Sequence, residues 1–272
     1  MDISVDLKDK VAVVTGGAGV LCSCLSKALA AQGAKTAVLD LRKDEAEKVA
    51  DEINLSGGKA VGLEADVLNK ESVEKAKEIV VKEFGTVDIL INGAGGNSPL
   101  ATTGPGQSFF DLTPEGIQKV FNLNFLGSVL PTQVFGKIMA EKKKGVVINI
   151  SSMAAYTPLT RTIAYSAAKA AVTNFTRWMA VHFNQEYSRE IRVNAIAPGF
   201  LLTKQNEYLL IDEKTGGPTK RGQSILNMTP MGRYGLPEDL IGAVLFLCSE
   251  SASFVNGAVI PIDGGFLAYS GV

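Results

Sequence analysis

The chain has 272 residues, of which 46% are hydrophobic and 20% charged, and its formal net charge is −1. This length and composition predict one large α/β domain spanning 1–272. Its Lys and Arg residues are scattered, which argues against a nucleic-acid partner, and no apolar stretch reaches the ~18–20 residues that a membrane span requires. Because segment 1–10 lacks the apolar core of a signal peptide, we expect a cytoplasmic protein.

Short apolar runs alternate with helical patterns along the whole chain. The runs predict strands over 10–16, 35–40, 59–66, 87–92, 145–151, 191–198 and 257–263. Apolar positions at helical spacing predict helices over 20–32, 43–55, 70–84, 113–142, 162–187 and 237–249. Continuously apolar strands between helices indicate a parallel sheet buried on both faces. We therefore predict a single doubly wound Rossmann domain with a seven-stranded parallel sheet.

One segment, 204–232, has neither pattern, because it is polar and punctuated by Gly and Pro. An irregular loop of that length in a compact domain is usually functional. We predict that it forms a lid over a substrate.

The cysteines and the histidine exclude some classes of site. Cys22, Cys24 and Cys248 match no disulfide framework and no zinc spacing, so we expect free thiols in a reducing compartment and no metal. The single histidine, His182, lies in a helical pattern and no G-x-S-x-G turn accompanies it. This argues against a Ser-His-Asp hydrolase.

The first predicted strand runs through TGGAGVLC (15–22) directly into a helix. Glycines such as Gly16 and Gly19 let the backbone approach a pyrophosphate, which the free N–H groups of the helix then hold. Asp40 ends the second strand, where an acid accepts hydrogen bonds from an adenosine ribose. Its charge would repel a 2′-phosphate, so NAD is favoured over NADP, although Arg42 could soften that preference. The alternative for Asp40 is an ordinary cap of the next helix.

Tyr165 and Lys169 stand one helical turn apart in AYSAAKAAV (164–172), and Ser152 follows the apolar run VVINIS (146–151). Positions i and i+4 share a helix face, so the phenol and the ammonium can point into one site. A cation nearby lowers the tyrosine pKa from ~10 by roughly 1–3 units, which makes the phenol an acid and base near neutral pH. Tyr-x-x-x-Lys alone also occurs by chance in helices.

The motifs together resemble the short-chain dehydrogenase/reductase family, in the family's order and over essentially the whole chain. They are TGGAGVLC (15–22), Asp66-Val67, NGAG (92–95), Asn124, Ser152, YSAAK (165–169) and PGFLLT (198–203). The resemblance implies a homotetramer with a catalytic Asn-Ser-Tyr-Lys tetrad. In that tetrad Tyr165 is the acid/base, and Ser152 bonds the substrate oxygen. Lys169 holds the nicotinamide ribose and lowers the Tyr165 pKa, and Asn124 anchors a water in the proton relay.

The same resemblance implies the cofactor contacts. Asp66 and Val67 touch the adenine, while Leu21 belongs to the phosphate turn. The groove is lined by Asn92, Ala94 and Gly95, and the nicotinamide is covered by Pro198, Gly199 and Thr203. One departure affects the turn, because Val20 and Cys22 occupy the second and third glycine places of the family's T-G-x-x-x-G-x-G. Either Gly19 supplies the close approach through a shifted turn, or the pyrophosphate lies further out.

Within the family, segments 92–103, 157–183 and 197–206 resemble the D-mannonate oxidoreductase, or fructuronate reductase, branch. This resemblance implies a sugar-acid substrate, whose carboxylate needs a cation and whose hydroxyls need polar neighbours. The candidates are Asn97, Arg161 and Lys204, with Arg221 in the predicted lid. Three alternatives remain open: gluconate 5-dehydrogenase, a 3-oxoacyl reductase, and a non-catalytic dinucleotide sensor.

Overall fold

The computed structural model describes residues 5–204 and 206–271. Gln205 and the two chain ends, which belong to the predicted domain 1–272, lie outside the described residues. Within them, seven strands pair in parallel in the order β3-β2-β1-β4-β5-β6-β7. The strands are β1 (Val11–Thr15), β2 (Lys35–Asp40), β3 (Lys59–Glu64), β4 (Ile89–Asn92), β5 (Gly145–Ile150), β6 (Ile191–Pro198) and β7 (Val259–Ile262). The predicted sheet and fold class are confirmed.

Helices follow most of the strands and cover both faces of the sheet. They are α1 (Val20–Ala31), α2 (Lys43–Leu55), α3 (Lys70–Phe84), α4 (Pro114–Lys142), α5 (Ile163–Glu186), α6 (Glu207–Leu210), α7 (Lys220–Asn227) and α8 (Ile241–Cys248). None of the helices in the described ranges combines the length and apolar character that a membrane span requires.

Side-chain alternation along β1 shows how the two faces are buried. Val11 and Val13 join one hydrophobic cluster, which α3, α4 and α5 complete. Ala12 and Val14 join a second cluster, which contains residues of α1 and α8. All five residues of β1 are buried, as expected when both faces of a parallel sheet are covered.

The strand order places a crevice beside β1. The chain builds β2 and β3 on one side of β1 and then returns to add β4 on the other side. At such a reversal the flanking helices diverge, and a ligand can enter beyond the carboxyl ends of the strands.

The predicted lid is not irregular, which corrects one expectation from the sequence. It contains α6 and α7, and an antiparallel bridge joins Ile211 to Pro218. Thr219 caps α7, because its Oγ1 accepts from Gly222 N at 3.0 Å. Asp212 Oδ1 accepts from the N–H groups of Lys214 and Thr215 and forms the turn between the helices. The two helices have only four and eight residues, which is too short for helical periodicity to distinguish them from a loop in the sequence.

Candidate active site

A cleft of about 440 Å³ opens at the carboxyl ends of β1, β4, β5 and β6. It lies at the crevice beside β1, and most of the predicted site residues meet there. Its lining comprises Gly16, Gly19, Val20, Leu21, Cys22, Asp40, Arg42, Gly93, Ala94, Gly95, Ile150, Ser151, Ser152, Tyr165, Pro198, Gly199, Leu201, Thr203 and Asn206.

Two glycines shape the turn between β1 and α1. Gly16 has φ +61°, and a Cβ there would lie 2.8 Å from Ala94 Cα. A side chain at this position would therefore be strained and would separate β1 from β4. Gly19 N donates to Gly16 O at 2.9 Å, and Gly19 is the N-cap of α1. This geometry favours the shifted turn, with Gly19 in the place of close approach.

Cys22 fills the space left open by a glycine in the opposite strand end. A Cβ on Gly93 would overlap Cys22 Sγ and would lie 2.9 Å from Thr15 O. Cys22 is buried, and burial raises the pKa of its thiol to about 12. The thiol is therefore an apolar packing group, and α1 stays close to the sheet although the family's third glycine is missing.

Asp40 presents its carboxylate to the cleft and is not a cap of α2. Its Oδ2 accepts from Ala18 N in the glycine turn at 3.2 Å, and its Oδ1 accepts from Arg42 N at 3.2 Å. Arg42 Nε lies 3.6 Å from the same Oδ1. Asp40 therefore links the end of β2 to the glycine turn, and it retains acceptor capacity for hydroxyl groups.

Tyr165 and Ser152 both line the cleft, and the Ser152 hydroxyl acts to lower the pKa of the phenol. Ser152 Oγ also accepts from Ala154 N at 3.1 Å, which fixes the turn after β5. The neighbouring Ser151 hydroxyl lies 2.6 Å from Thr173 Oγ1 and donates to Lys169 O at 3.3 Å. Ser151 therefore attaches β5 to α5, and Ser152 is the serine available to the tyrosine.

Lys169 is buried and anchored to the sheet. Its Nζ donates to Ile150 O at 2.7 Å and lies 5.6 Å from the centre of the Tyr165 ring. Burial lowers the pKa of the ammonium to about 8. A Cβ on Gly95 would lie 3.3 Å from this Nζ and 2.6 Å from Asn124 Oδ1, so a glycine leaves room for both polar side chains.

The expected depression of the Tyr165 pKa is not found in the protein alone. Burial raises the pKa of the phenol, and the hydrogen bond with Ser152 offsets part of that increase. Lys169 has no comparable effect, because burial weakens its own charged form and its hydrogen bond goes to Ile150. The Tyr165 pKa is not depressed because desolvation disfavours the charged form of each group.

Asn124 connects α4 to the loop after β4. Its Nδ2 donates to Gly96 O at 2.7 Å and to Val120 O at 2.8 Å, and its Oδ1 accepts from Gly96 N at 3.2 Å. Both amide hydrogens are used in these bonds. The side chain thus holds Gly96 in place, and its role as the anchor of a water stays a prediction.

Asn92 does not point into the groove, which corrects a second expectation. Its Nδ2 donates to Thr132 Oγ1 at 2.9 Å and to Asn149 Oδ1 at 2.8 Å, inside the core. Asp66 and Val67 lie outside the cleft lining given above. Asp66 Oδ1 accepts from Leu68 N, and Val67 packs against Gly127 of α4. Their contact with an adenine stays a prediction.

Of the proposed substrate residues, Ser152 lines the cleft, whereas Asn97, Arg161 and Lys204 lie outside its lining, and Arg161 lines a second cavity. Asn97 is exposed, and its Nδ2 donates to Thr102 Oγ1 at 2.9 Å. Arg161 is exposed at φ +75°, and its carbonyl accepts from Thr103 N at 3.0 Å. Lys204 is exposed and directly follows Thr203 of the lining. Only Lys204 adjoins the cleft lining directly in sequence.

Two further residues, which the sequence motifs did not single out, shape the cleft. Thr15 Oγ1 accepts from Gly93 N at 3.1 Å and from Ala94 N at 3.3 Å, so it ties the loop after β4 to β1. Asn206 Oδ1 accepts from Thr203 N at 2.8 Å, and its Nδ2 donates to Leu201 O at 2.8 Å. The sequence signal for Asn206 was its place as a polar residue directly before the short helix α6.

The burial of Lys169 makes stability depend on pH. Its pKa is near 10.5 in the unfolded chain and about 8 in the folded protein. Between these values the unfolded chain binds more protons at this residue, so a rise in pH favours folding. We expect the free energy of unfolding of the wild type to increase relative to that of Lys169→Met from pH 8 to pH 10.5.

Urea unfolding of both proteins across this range measures the difference. The comparison cancels the contributions of groups that do not interact with Lys169, including Cys248, whose thiol pKa burial raises to about 12. A difference that stays constant with pH would show that Lys169 is solvated in the folded protein.

The arrangement in the cleft agrees with comparisons to known proteins. A family model described as enoyl-(acyl carrier protein) reductase matches residues 20–267. An uncharacterised oxidoreductase of Bacillus subtilis is 51% identical, over 98% of this chain and 98% of its own length. The D-threitol dehydrogenase of Mycolicibacterium smegmatis is 33% identical, over 98% of this chain and 96% of its own length.

A solved structure from Haemophilus influenzae, with bound NAD, is provisionally assigned as a D-mannonate oxidoreductase. It is 53% identical to this chain, covers 98% of both chains and superposes with a TM-score of 0.92. The identities and the matched lengths extend over nearly the whole chain, and the seven-stranded fold agrees with them. The chain belongs to the short-chain dehydrogenase/reductase family.

Proposed function

We propose that this protein is an NAD-dependent oxidoreductase that interconverts D-mannonate and D-fructuronate. The observation that carries the proposal is that Ser152 and Tyr165 line one cleft together with Asp40 and the glycine turn. A pure dinucleotide sensor has no need of an acid/base pair at that place. An enzyme acting on a hydroxyl or carbonyl group does need one.

The cofactor is NAD. The turn after β1 fits a pyrophosphate, because glycines bring the backbone to the cleft and α1 begins there with its free N–H groups. The Asp40 carboxylate suits the hydroxyls of an adenosine ribose and opposes a 2′-phosphate. Lys169 would hold the nicotinamide ribose, and Pro198, Gly199 and Thr203 would cover the ring. The solved relative with bound NAD supports this assignment.

The residues of this chain handle the proton. NAD, when bound, supplies the hydride chemistry. Tyr165 gives the proton of its phenol to the substrate oxygen on reduction and takes it back on oxidation. Ser152 holds both the phenol and the substrate oxygen, so the proton travels over a short distance. The buried Lys169 lies 5.6 Å from the centre of the Tyr165 ring and would hold the nicotinamide ribose beside it.

The assignment of a sugar-acid substrate rests on the similarity of this chain to the relative from Haemophilus influenzae. Similarity to a D-threitol dehydrogenase and the match to the enoyl reductase model keep a neutral polyol and an acyl thioester as alternatives. NADH absorbance during incubation with D-mannonate, D-fructuronate, 5-ketogluconate, D-threitol and a 3-oxoacyl thioester tests the proposal. Turnover should be fastest with the hexuronate pair, and a faster reaction with any other compound would refute this substrate assignment.

Cofactor preference should depend on Asp40. Asp40→Ala removes the partner of the ribose hydroxyls, and a charged hydrogen bond contributes about 1.5–3 kcal/mol. We therefore expect NAD affinity to fall by roughly ten- to a hundred-and-fifty-fold, with weaker discrimination against NADP. Asp40→Asn is the matched variant, because it can keep the acceptor for Ala18 N while it removes the charge. Kinetics with both cofactors measure the effect, and a wild-type preference for NADPH would contradict the assignment.

Arg161 is the first candidate for the substrate carboxylate, because a guanidinium binds a carboxylate bidentately. Arg161→Met keeps a non-glycine residue at φ +75° and so removes only the charged group. We expect kcat/KM for the sugar acid to fall by roughly ten- to a hundred-and-fifty-fold, with little effect on a neutral polyol. Equal losses on both substrates would assign Arg161 to the shape of the loop. The carboxylate partner would then be sought by Lys204→Met and Arg221→Met.

We also propose a cytoplasmic homotetramer. One side of α5 exposes large apolar groups, with Trp178 57% and Val181 56% exposed, and such patches usually mark an interface. The free cysteines Cys22, Cys24 and Cys248 suit a reducing compartment. Light scattering of the purified protein measures the mass, and a monomer would contradict the assembly.

A further inference from the structure

An ion pair outside the cleft closes the loop at which the lid segment ends. Arg233 Nη1 and Nη2 donate to the two carboxylate oxygens of Asp239 at 2.6 and 2.9 Å. Asp239 Oδ2 also accepts from Leu236 N at 2.7 Å, and Arg233 Nη1 donates to Tyr234 O at 3.0 Å. These contacts hold residues 233–239, which we call the clasp loop. The hydrogen bonds from Arg233 lower the pKa of Asp239 to about 2, so the pair stays ionised at neutral pH.

The clasp loop is bonded directly to the wall of the cleft. Gly235 N donates to Phe200 O at 3.0 Å, and Leu202 N donates to Gly235 O at 2.8 Å. A Cβ on Gly235 would overlap the side chain of Leu201, which is buried and lines the cleft. Any displacement of Gly235 would therefore be transmitted to Leu201.

The clasp loop also contacts both helices of the lid. Tyr234 Oη donates to Leu210 O at the end of α6, at 3.4 Å. The same hydroxyl occupies the place that a Cβ on Gly222 of α7 would take. Tyr234 therefore lies between α6 and α7, while the next residue, Gly235, is bonded to the cleft wall.

We propose that Arg233 and Asp239 are positioning residues that fix the clasp loop as the anchor on which the lid closes. Both side chains lie outside the lining of the cleft and act through Tyr234 and Gly235. If the loop is held, α6 and α7 can move over a bound substrate only about a fixed point beside Leu201. This role in closure rests on the proposed function, whereas the anchoring of the loop does not.

Amide hydrogen exchange of the full-length protein tests the anchor without reference to activity. Arg233→Met breaks the ion pair, and Asp239→Asn breaks it while keeping an acceptor for Leu236 N. In both variants the amides of Leu202 and Gly235 should exchange roughly three- to tenfold faster. Arg233→Lys should restore part of the protection, because it keeps one charged hydrogen bond. Lys43→Met, which breaks an exposed ion pair with Glu47 on α2, is the control and should leave these amides unchanged.

Steady-state kinetics add the functional readout. KM for the sugar acid should rise severalfold in Arg233→Met and recover partly in Arg233→Lys. Unchanged exchange at Leu202 and Gly235 would overturn the anchor. A uniform rise in exchange across the sheet, with a lower melting temperature, would also overturn it, because the pair would then stabilise the whole fold. If the wild type turns over no sugar acid, the proposed function fails, and the exchange result still decides the anchor.

Discussion

Tyr165→Phe should lower turnover by roughly 10²–10⁴-fold, which is the range that a general acid/base contributes. The substitution removes only the phenol oxygen. Its ring packs against Ala101, Val120 and Ala164, so the fold and the binding of NADH should persist. Turnover is measured by NADH absorbance, and cofactor binding by the fluorescence of bound NADH.

A matched variant lies directly after the same helix. Tyr187→Phe changes the C-cap residue of α5, outside the cleft lining, and it should retain full turnover. If Tyr165→Phe keeps activity close to that of the wild type, Tyr165 is not the acid/base, and the proposed chemistry fails with it.

Gly93→Ala should lower NADH affinity by more than tenfold and should destabilise the protein. The added methyl group would overlap Cys22 Sγ and lie 2.9 Å from Thr15 O. Overpacking of this kind costs about 1–3 kcal/mol. Because Gly93 lines the cleft between α1 and β4, the helix must move away from the cofactor turn to relieve the overlap. Titration with NADH and thermal unfolding measure the two effects.

The Cys22→Ala substitution should recover the part of the Gly93→Ala loss that comes from Sγ, whereas the 2.9 Å approach to Thr15 O remains. It removes Sγ, and the remaining Cβ of residue 22 lies 3.6 Å from the methyl group at position 93, an ordinary contact distance. The two changes should therefore be strongly non-additive. Additive losses would mean that the contact with Thr15 O, and not the thiol, accounts for the loss. Gly104→Ala, which adds a Cβ with no heavy atom within 4 Å, is the control.

The hydrophobic pattern of the sequence was sufficient to predict the strands of the sheet. The apolar runs of β1, β2 and β5 agree with the observed strands to within one residue at each end, since strands buried on both faces have continuous apolar sequences. The helices α6 and α7 were missed because they have only four and eight residues, fewer than periodicity needs to identify a helix. Their ends are set by polar acceptors, since Asp212 Oδ1 accepts from Lys214 N in the turn between them and Thr219 Oγ1 accepts from Gly222 N at the start of α7.

The motifs indicated which residues meet in the cleft but not the directions of all side chains. Asn92 follows Leu90 by two residues, so it points to the same face, which α3, α4 and α5 cover. Nothing in the sequence assigns that face to the core and not to the groove. Similarly, the spacing of Tyr165 and Lys169 predicts their proximity. It does not show that the ammonium donates to Ile150.

The bond from Lys169 to Ile150 O couples the assembly of the site to the folding of the sheet. The acceptor is the main chain at the end of β5, which pairs with both β4 and β6. The ammonium can therefore reach its position only when the central strands are already in register. A partly folded chain with helices but no sheet would leave this lysine in water, where its pKa returns to about 10.5. The position of the Lys169 ammonium and the pairing of the central strands thus involve the same segment of backbone.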